Sequence, residues 1–110
     1  MITIDDLAKI EIRVGTVVSA ERVPETDKLI RLLVEFGEET GPRQIVSGIA
    51  AYIESPEWLV GKQLSFVTNL EPRTIKGLES NGMLFAVSTA DGKFSLLEPN
   101  GDIPPGTIAK

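Results

Sequence analysis

Residues 69–84, NLEPRTIKGLESNGML, gather the side chains best suited to gripping an anion or a sugar. Arg73 offers a planar fork that matches phosphate oxygens, and Lys76 offers a compact positive charge. Asn69 and Ser80 are neutral groups able to reach sugar hydroxyls or base edges. Gly77 and Gly82 let a backbone approach closely, and Pro72 sets a turn. Such a set suits contact with phosphates and sugars. The same residues also fit a plainer arrangement: a solvated loop for the cations, an ordinary turn for Ser80-Asn81-Gly82 and core packing for Met83.

Other chemistries are narrowed by what the chain lacks. Its 110 residues include no histidine and no cysteine. That removes the usual general base at neutral pH, the commonest transition-metal ligand, and every thiol or disulfide. Carboxylates remain, but IDD, GEE and PETDK lie in turn-like polar settings that read as solvated surface. There is no phosphate-loop or dinucleotide fingerprint. The expectation is a protein with no catalytic residues, no metal and no cofactor.

Sixteen acidic against eleven basic residues give a net charge of −5, which argues against nucleic acid only at first sight. A ligand senses the field of one face, within a screening length of about 8–10 Å, not the sum over the molecule. Lys28, Arg31, Arg43, Lys62, Arg73 and Lys76 fall in the middle of the chain, whereas the first 27 residues hold six carboxylates. A folded chain can thus be acidic behind and basic in front. No apolar run approaches the roughly 20 residues that span a bilayer, and Met1 leads into acidic residues, so a cytoplasmic location is expected.

The elements that would carry these residues show in the periodicity. Ile10, Ile12 and Val14 alternate with Lys9, Glu11 and Arg13, the period of a half-buried strand, and Gly15 then reads as a bulge or bend. Ile30, Leu32, Val34 and Phe36 mark a second strand, and RQIVSGI a third. ESPEWLVG reads as a short helix, with Ser55 as cap, Pro56 at the first position, Gly61 as stop and Trp58 packed on the body. QLSFVTNL is a fourth strand, 69–82 a long loop, MLFAV a fifth strand and KFSLL an extra one. Three strands, a helix and two strands is the order of the OB-fold, an all-β five-stranded Greek-key barrel that binds nucleic acids or sugars beside its strand-four-to-five loop. An SH3-like barrel can be drawn through the same strands. Residues 1–110 form one domain of a size to hold one core.

DKLIRLLVEFG, RQIVSGIAAYIESPEWLVGK and NLEPRTIKGLESNGML together resemble the tRNA-binding domain found at the carboxyl end of many methionyl-tRNA synthetases and as a free-standing dimeric tRNA-binding protein. The likeness runs from about Ile4 to Ile108. It implies an OB-fold with extra carboxyl-terminal strands, a homodimer, and recognition of tRNA by shape, with the synthetase catalytic chain as a partner. Carried over position by position, it implies RNA contacts at Lys28, Arg43, Asn69, Arg73, Lys76, Ser80 and Met83. Glu71 and Thr74 depart from the family pattern, where neutral or basic residues are common. Tyr52, Trp58 and four Phe leave few rings to stack on bases, which favours shape and backbone recognition. A related branch of the same fold resembles secretion chaperones, so a peptide-binding dimer is the rival reading. The Ser-x-Gly-Met segment at Ser80–Met83, which that branch tends to lack, is present here.

Overall fold

The computed structural model describes residues 1–110. Its main sheet has five antiparallel strands in the order β3-β2-β1-β4-β7, where β1 is Ile12–Arg22, β2 Ile30–Glu35, β3 Arg43–Ser47, β4 Gln63–Val67 and β7 Met83–Leu84. Between β4 and β7 lie β5, Arg73–Ile75, and β6, Leu78–Ser80. After them β8, Ala86–Ser88, pairs with β9, Phe94–Leu96. A short helix α1, Ile4–Leu7, precedes the barrel. This is the OB-fold. No helix is long and apolar enough to cross a membrane.

One strand holds the barrel together. Residues 12–16 of β1 pair with β4, while residues 16–22 pair with β2, so β1 serves both walls in turn. The register slips between Val17 and Ser19, and the extra residue, Val18, faces solvent. The bulge therefore lies three residues beyond Gly15, where the sequence suggested it. Gly15 instead makes room for a neighbouring strand. A Cβ there would sit 2.5 Å from Val34 Cγ1 and 2.6 Å from Phe36 Cε1, so the position must be bare for β2 to cross it. Gly15 and Val17 point into the barrel, and Ile12 and Val14 to the other face.

The free edge of β1 beside these residues is taken by the end of the chain. Gly106 N–H donates to Val14 O at 2.7 Å, Val14 N–H to Thr107 O at 2.9 Å and Ala109 N–H to Ile12 O at 2.8 Å. Residues 106–109 thus occupy the side of β1 that β2 leaves empty. The far wall closes differently. Asn81 N–H donates to Gln44 O at 2.8 Å, and the Ser80 hydroxyl accepts from Val46 N–H at 3.0 Å.

The alternation in β2 is fully expressed: Ile30, Leu32 and Val34 are completely buried and Phe36 nearly so. With Leu64, Phe66, Ile45 and Leu59 they form the core, where Phe36 and Phe66 meet edge to face at 5.3 Å. The expected helix between strands three and four is instead two single 3-10 turns, Ala50–Tyr52 and Pro56–Leu59. Ser55 does not cap the second; its hydroxyl bonds the Glu57 carboxylate. Trp58 is not packed on the barrel as expected: it is 56% exposed, under Lys62 Nζ at 4.2 Å, and Leu59 makes the buried contact. A turn of three residues per cycle presents one side chain inward, and the smaller one takes it. MLFAV also divides: Met83 and Leu84 pair with β4, and after Phe85, whose N–H still donates to Ser65 O, Ala86 and Val87 turn away to pair with β9.

Candidate nucleic-acid interface

The stretch 69–82, expected as a loop, folds in its centre into a hairpin. Arg73 pairs with Ser80, Thr74 with Glu79 and Ile75 with Leu78. The two-residue turn between them, Lys76-Gly77, has φ of 50° and 80°. Positive φ at both positions is the type I′ turn that matches strand twist. Glycine takes it freely, while at Lys76 it costs about 1 kcal/mol. The turn lifts Lys76 to the hairpin tip, and the half-buried Ile75 and Leu78 lean toward the body.

Pairing decides which cations can meet a ligand. Five of the eleven are in ion pairs: Lys9 with Asp6, Arg13 with Glu11, Arg31 with Glu21, Arg43 with Glu38 and Lys62 with Glu98. Arg22 donates to the carbonyls of Ala50 and Ile53. Lys28, Arg73, Lys76, Lys93 and Lys110 have neither an acidic partner nor a side-chain hydrogen bond, and all five are exposed; of these, Lys28, Arg73 and Lys76 belong to the β1–β2 turn and the hairpin. Lys28, in the turn from β1 to β2, lines one open cleft with Lys76. Arg73 stands three residues before Lys76 along the hairpin, about 10 Å at strand spacing.

The other residues singled out in the sequence are placed otherwise. Ser80 is 1% exposed; its hydroxyl accepts from Val46 N–H and donates to Gly82 O at 3.2 Å, so it is spent on the barrel seam. Asn69 Oδ1 accepts from Glu11 N–H at 2.9 Å and its Nδ2 donates to Lys9 O at 2.8 Å, which ties the amino-terminal segment to the end of β4. Arg43 makes a two-pronged bond to Glu38 at 2.7 and 2.8 Å, donates to Thr68 O at 2.7 Å and lies over the Phe36 ring. Met83, paired with Val67 on the edge strand β7, is 37% exposed. The structure thus brings Lys28, Arg73 and Lys76 to one end and leaves Ser80, Asn69 and Arg43 committed to the scaffold.

Removing the Ser80 hydroxyl orphans a buried N–H, which costs about 1–3 kcal/mol. Ser80→Ala is accordingly expected to lower the urea midpoint of unfolding while leaving ligand affinity unchanged in the folded protein. An unchanged midpoint with lost affinity would instead make the hydroxyl a ligand contact.

Arg43 belongs to a polar cluster at the base of the site. Its guanidinium holds the Glu38 carboxyl below the usual carboxylate range, and Glu38 in turn raises Arg43. The Thr68 hydroxyl, 2.7 Å from Glu11 Oε1, lowers Glu11, with Arg13 adding to the effect. Arg13 Nε lies 3.0 Å from Glu11 Oε1 but out of line for a hydrogen bond, so the pair is one of charge alone. Both carboxyls titrate lower folded than unfolded, so their contribution is complete above the ordinary value near 4.5 and is lost as pH falls through the folded values. Melting temperature should fall progressively on acidification below pH 4.5, and less steeply in Glu38→Gln. Equal slopes in the two proteins would remove Glu38 from this account.

Sequence reasoning missed an apolar groove lined by Ile4, Leu7, Ile10, Ile12 and Ile108, with Ile4 78% exposed. Its one signal was the capping box: the Thr3 hydroxyl accepts from Asp6 N–H, and the Asp6 carboxylate from Thr3 N–H, which starts α1.

The arrangement matches known proteins along nearly its whole length. Residues 12–108 match the family model described as "Putative tRNA binding domain". The chain is 55% identical over 107 residues to a methionine–tRNA ligase of Methanocorpusculum labreanum, covering 97% of this chain and 15% of that protein. It is 46% identical over 109 residues to the same enzyme of Porphyromonas gingivalis, covering 99% and 16%. It therefore spans about 15% of the length of these curated relatives. Among solved structures, a MetRS related protein from Pyrococcus horikoshii superposes with a TM-score of 0.90 at 41% identity, covering 100% of this chain and 98% of that one. The chaperone CsaA of Bacillus anthracis superposes at 0.86 with 33% identity, covering 100% and 99%. The family match and the identities agree with the motif order from Lys28 to Met83: this chain belongs to the tRNA-binding domain family.

Proposed function

We propose that the chain binds folded tRNA without catalysing a reaction, as a cytoplasmic homodimer that serves a methionyl-tRNA synthetase, whether joined to it or separate. The observation that carries the reading is the selective exposure of Lys28, Arg73 and Lys76 at one end of the barrel in a chain whose other central cations are paired. They can neutralise phosphates without first breaking an ion pair. Hydrogen-bonding chemistry for base reading is sparse nearby, which favours recognition of backbone and shape.

The groove of Ile4, Leu7, Ile10, Ile12 and Ile108 supports the homodimer. An exposed apolar surface of this kind is stable once covered, and a second copy offers the same surface in self-complementary form. Doubling the platform also raises affinity. Three phosphate contacts give a log K against log salt slope of about −2 for one protomer, and about −4 for two acting on one RNA.

The test compares a tRNA, a linear RNA of equal length and duplex DNA by gel shift. Preference for the tRNA supports the reading, and equal retention of all three contradicts it. The similarity to CsaA favours a second reading, a peptide-binding chaperone dimer that uses the apolar groove. Suppressed aggregation of an unfolded client, with no tRNA retained, would establish that one instead.

A further inference from the structure

The cleft between the β1–β2 turn and the hairpin tip is lined by charges of both signs. Glu25, Asp27 and Lys28 come from the turn and Lys76 from the hairpin, with the half-buried Leu29 and Ile75 also lining it. All four charged groups are exposed, yet none lies within 4.0 Å of an opposite charge, and none makes a side-chain hydrogen bond. The cleft therefore keeps unlike charges apart around a space of about 360 Å³, within the range of small-ligand sites. The backbone adds a separate observation. Glu25 and Lys76 are the two non-glycine residues with positive φ, at 63° and 50°, and both line this cleft. The type I′ turn accounts for Lys76, and the two positions set the backbone on either side of the cleft.

A purely phosphate-binding cleft has no use for carboxylates, which repel phosphate. A ribonucleotide does give them one, because its 2′-hydroxyl is a donor and a carboxylate is an acceptor. We propose that this cleft takes one unstacked ribonucleotide, with its phosphate held by Lys28 and Lys76, its 2′-hydroxyl donating to Glu25 or Asp27, and its base against Leu29 and Ile75. The proposal rests on the tRNA-binding reading and adds to it a device that selects RNA over DNA. RNA compensates the carboxylates through a charge-assisted bond. A deoxynucleotide leaves them facing a phosphate with nothing to accept, and is rejected by an unpaired charge.

The test measures dissociation constants for an unmodified tRNA transcript and for an all-deoxy oligonucleotide of the same sequence, in the parent protein, the Glu25→Ala/Asp27→Ala variant and the Glu25→Gln/Asp27→Asn variant. Neither pair of side chains makes a contact that the fold needs, and melting temperatures check this directly. The parent is expected to prefer RNA at least tenfold. The alanine pair should narrow that preference about tenfold, binding DNA more tightly and RNA no better. The amide pair, which keeps acceptor oxygens, should hold RNA affinity within about threefold of the parent. If the alanine pair strengthens RNA and DNA by the same factor, the carboxylates act only as bulk charge and the proposal is overturned; an unmoved ratio overturns it as well. Failure of the broader reading is separately visible: the parent then retains no tRNA, or retains it with unchanged affinity after Lys76→Ala, and both readings fall together.

Discussion

Replacing Arg73 and Lys76 together by alanine lowers affinity for tRNA by two orders of magnitude or more and leaves the melting temperature within about 2 °C of the parent. The two halves of that result come from different observations. Each side chain is exposed and unpaired, so its loss opens no cavity and strands no partner; surface changes of this kind stay within about 0.5 kcal/mol. On the RNA side, each cation in contact with phosphate contributes a charge-assisted bond of roughly 1.5–3 kcal/mol, so two give at least a hundredfold. Arg31→Ala is the contrasting variant. Its guanidinium already bonds Glu21 at 2.8 Å and Gln44 at 2.6 Å, so its loss should change affinity far less. Equal losses from Arg31→Ala and Arg73→Ala would show that ion pairing within the protein does not sort these cations.

Gly106→Ala is expected to detach the end of the chain and, with it, to weaken the proposed dimer. A Cβ at Gly106 would lie 2.2 Å from Phe36 O, and φ there is +92°. The first is a clash with backbone that no rotamer relieves; the second is a conformation that costs an L-residue about 1–2 kcal/mol. The simplest escape is for residues 106–109 to leave β1, which gives up the bonds to Val14 and Ile12 and removes Ile108 from the groove. The expected results are a dimer dissociation constant raised tenfold or more by sedimentation, and loss of hydrogen-exchange protection at the Val14 amide. Gly41→Ala provides the control, since φ there is +87° but nothing lies within 4 Å. It shares the backbone strain without the collision. If the two variants behave alike, the close approach to Phe36 is not what seats the tail.

The sequence made β2 legible because its two faces differ: Ile30, Leu32 and Val34 face a closed core and the residues between them face outward. The same reasoning misplaced the inner face of β1, because periodicity reports the period and not which parity is inward when both faces carry apolar side chains. There Ile12 and Val14, half-buried on the outer face, imitate a core, and the true inner face carries Gly15, which has no side chain to announce it. Trp58 misled through its size, since a large ring suggests burial, while the turn had only one inward position and gave it to Leu59.

At the candidate site, the motif from Asn69 to Met83 marked the right region but could not separate ligand contacts from scaffold. Ser80 and Asn69 look like ligand groups until their partners are seen, and those partners lie 34 and 58 or more residues away. The bond from Arg43 to Glu38 spans only five residues, short enough to be foreseen from the sequence. The hairpin was hidden by Lys76, which occupies a turn position where Asn or Gly is the usual signal.

The central claim is that exposure without an internal partner, together with a place on the β1–β2 turn and the hairpin, and not net charge, makes Lys28, Arg73 and Lys76 the grip on RNA. Its most direct test is the slope of log K against log salt for tRNA, measured for the parent and for the triple alanine variant over about 50–200 mM salt, on the scale where each neutralised phosphate adds about 0.7–0.9. The account predicts that the slope shrinks by about 2 per protomer as those counterions cease to be released. An unchanged slope, with affinity intact, would place the RNA elsewhere on the molecule and contradict it.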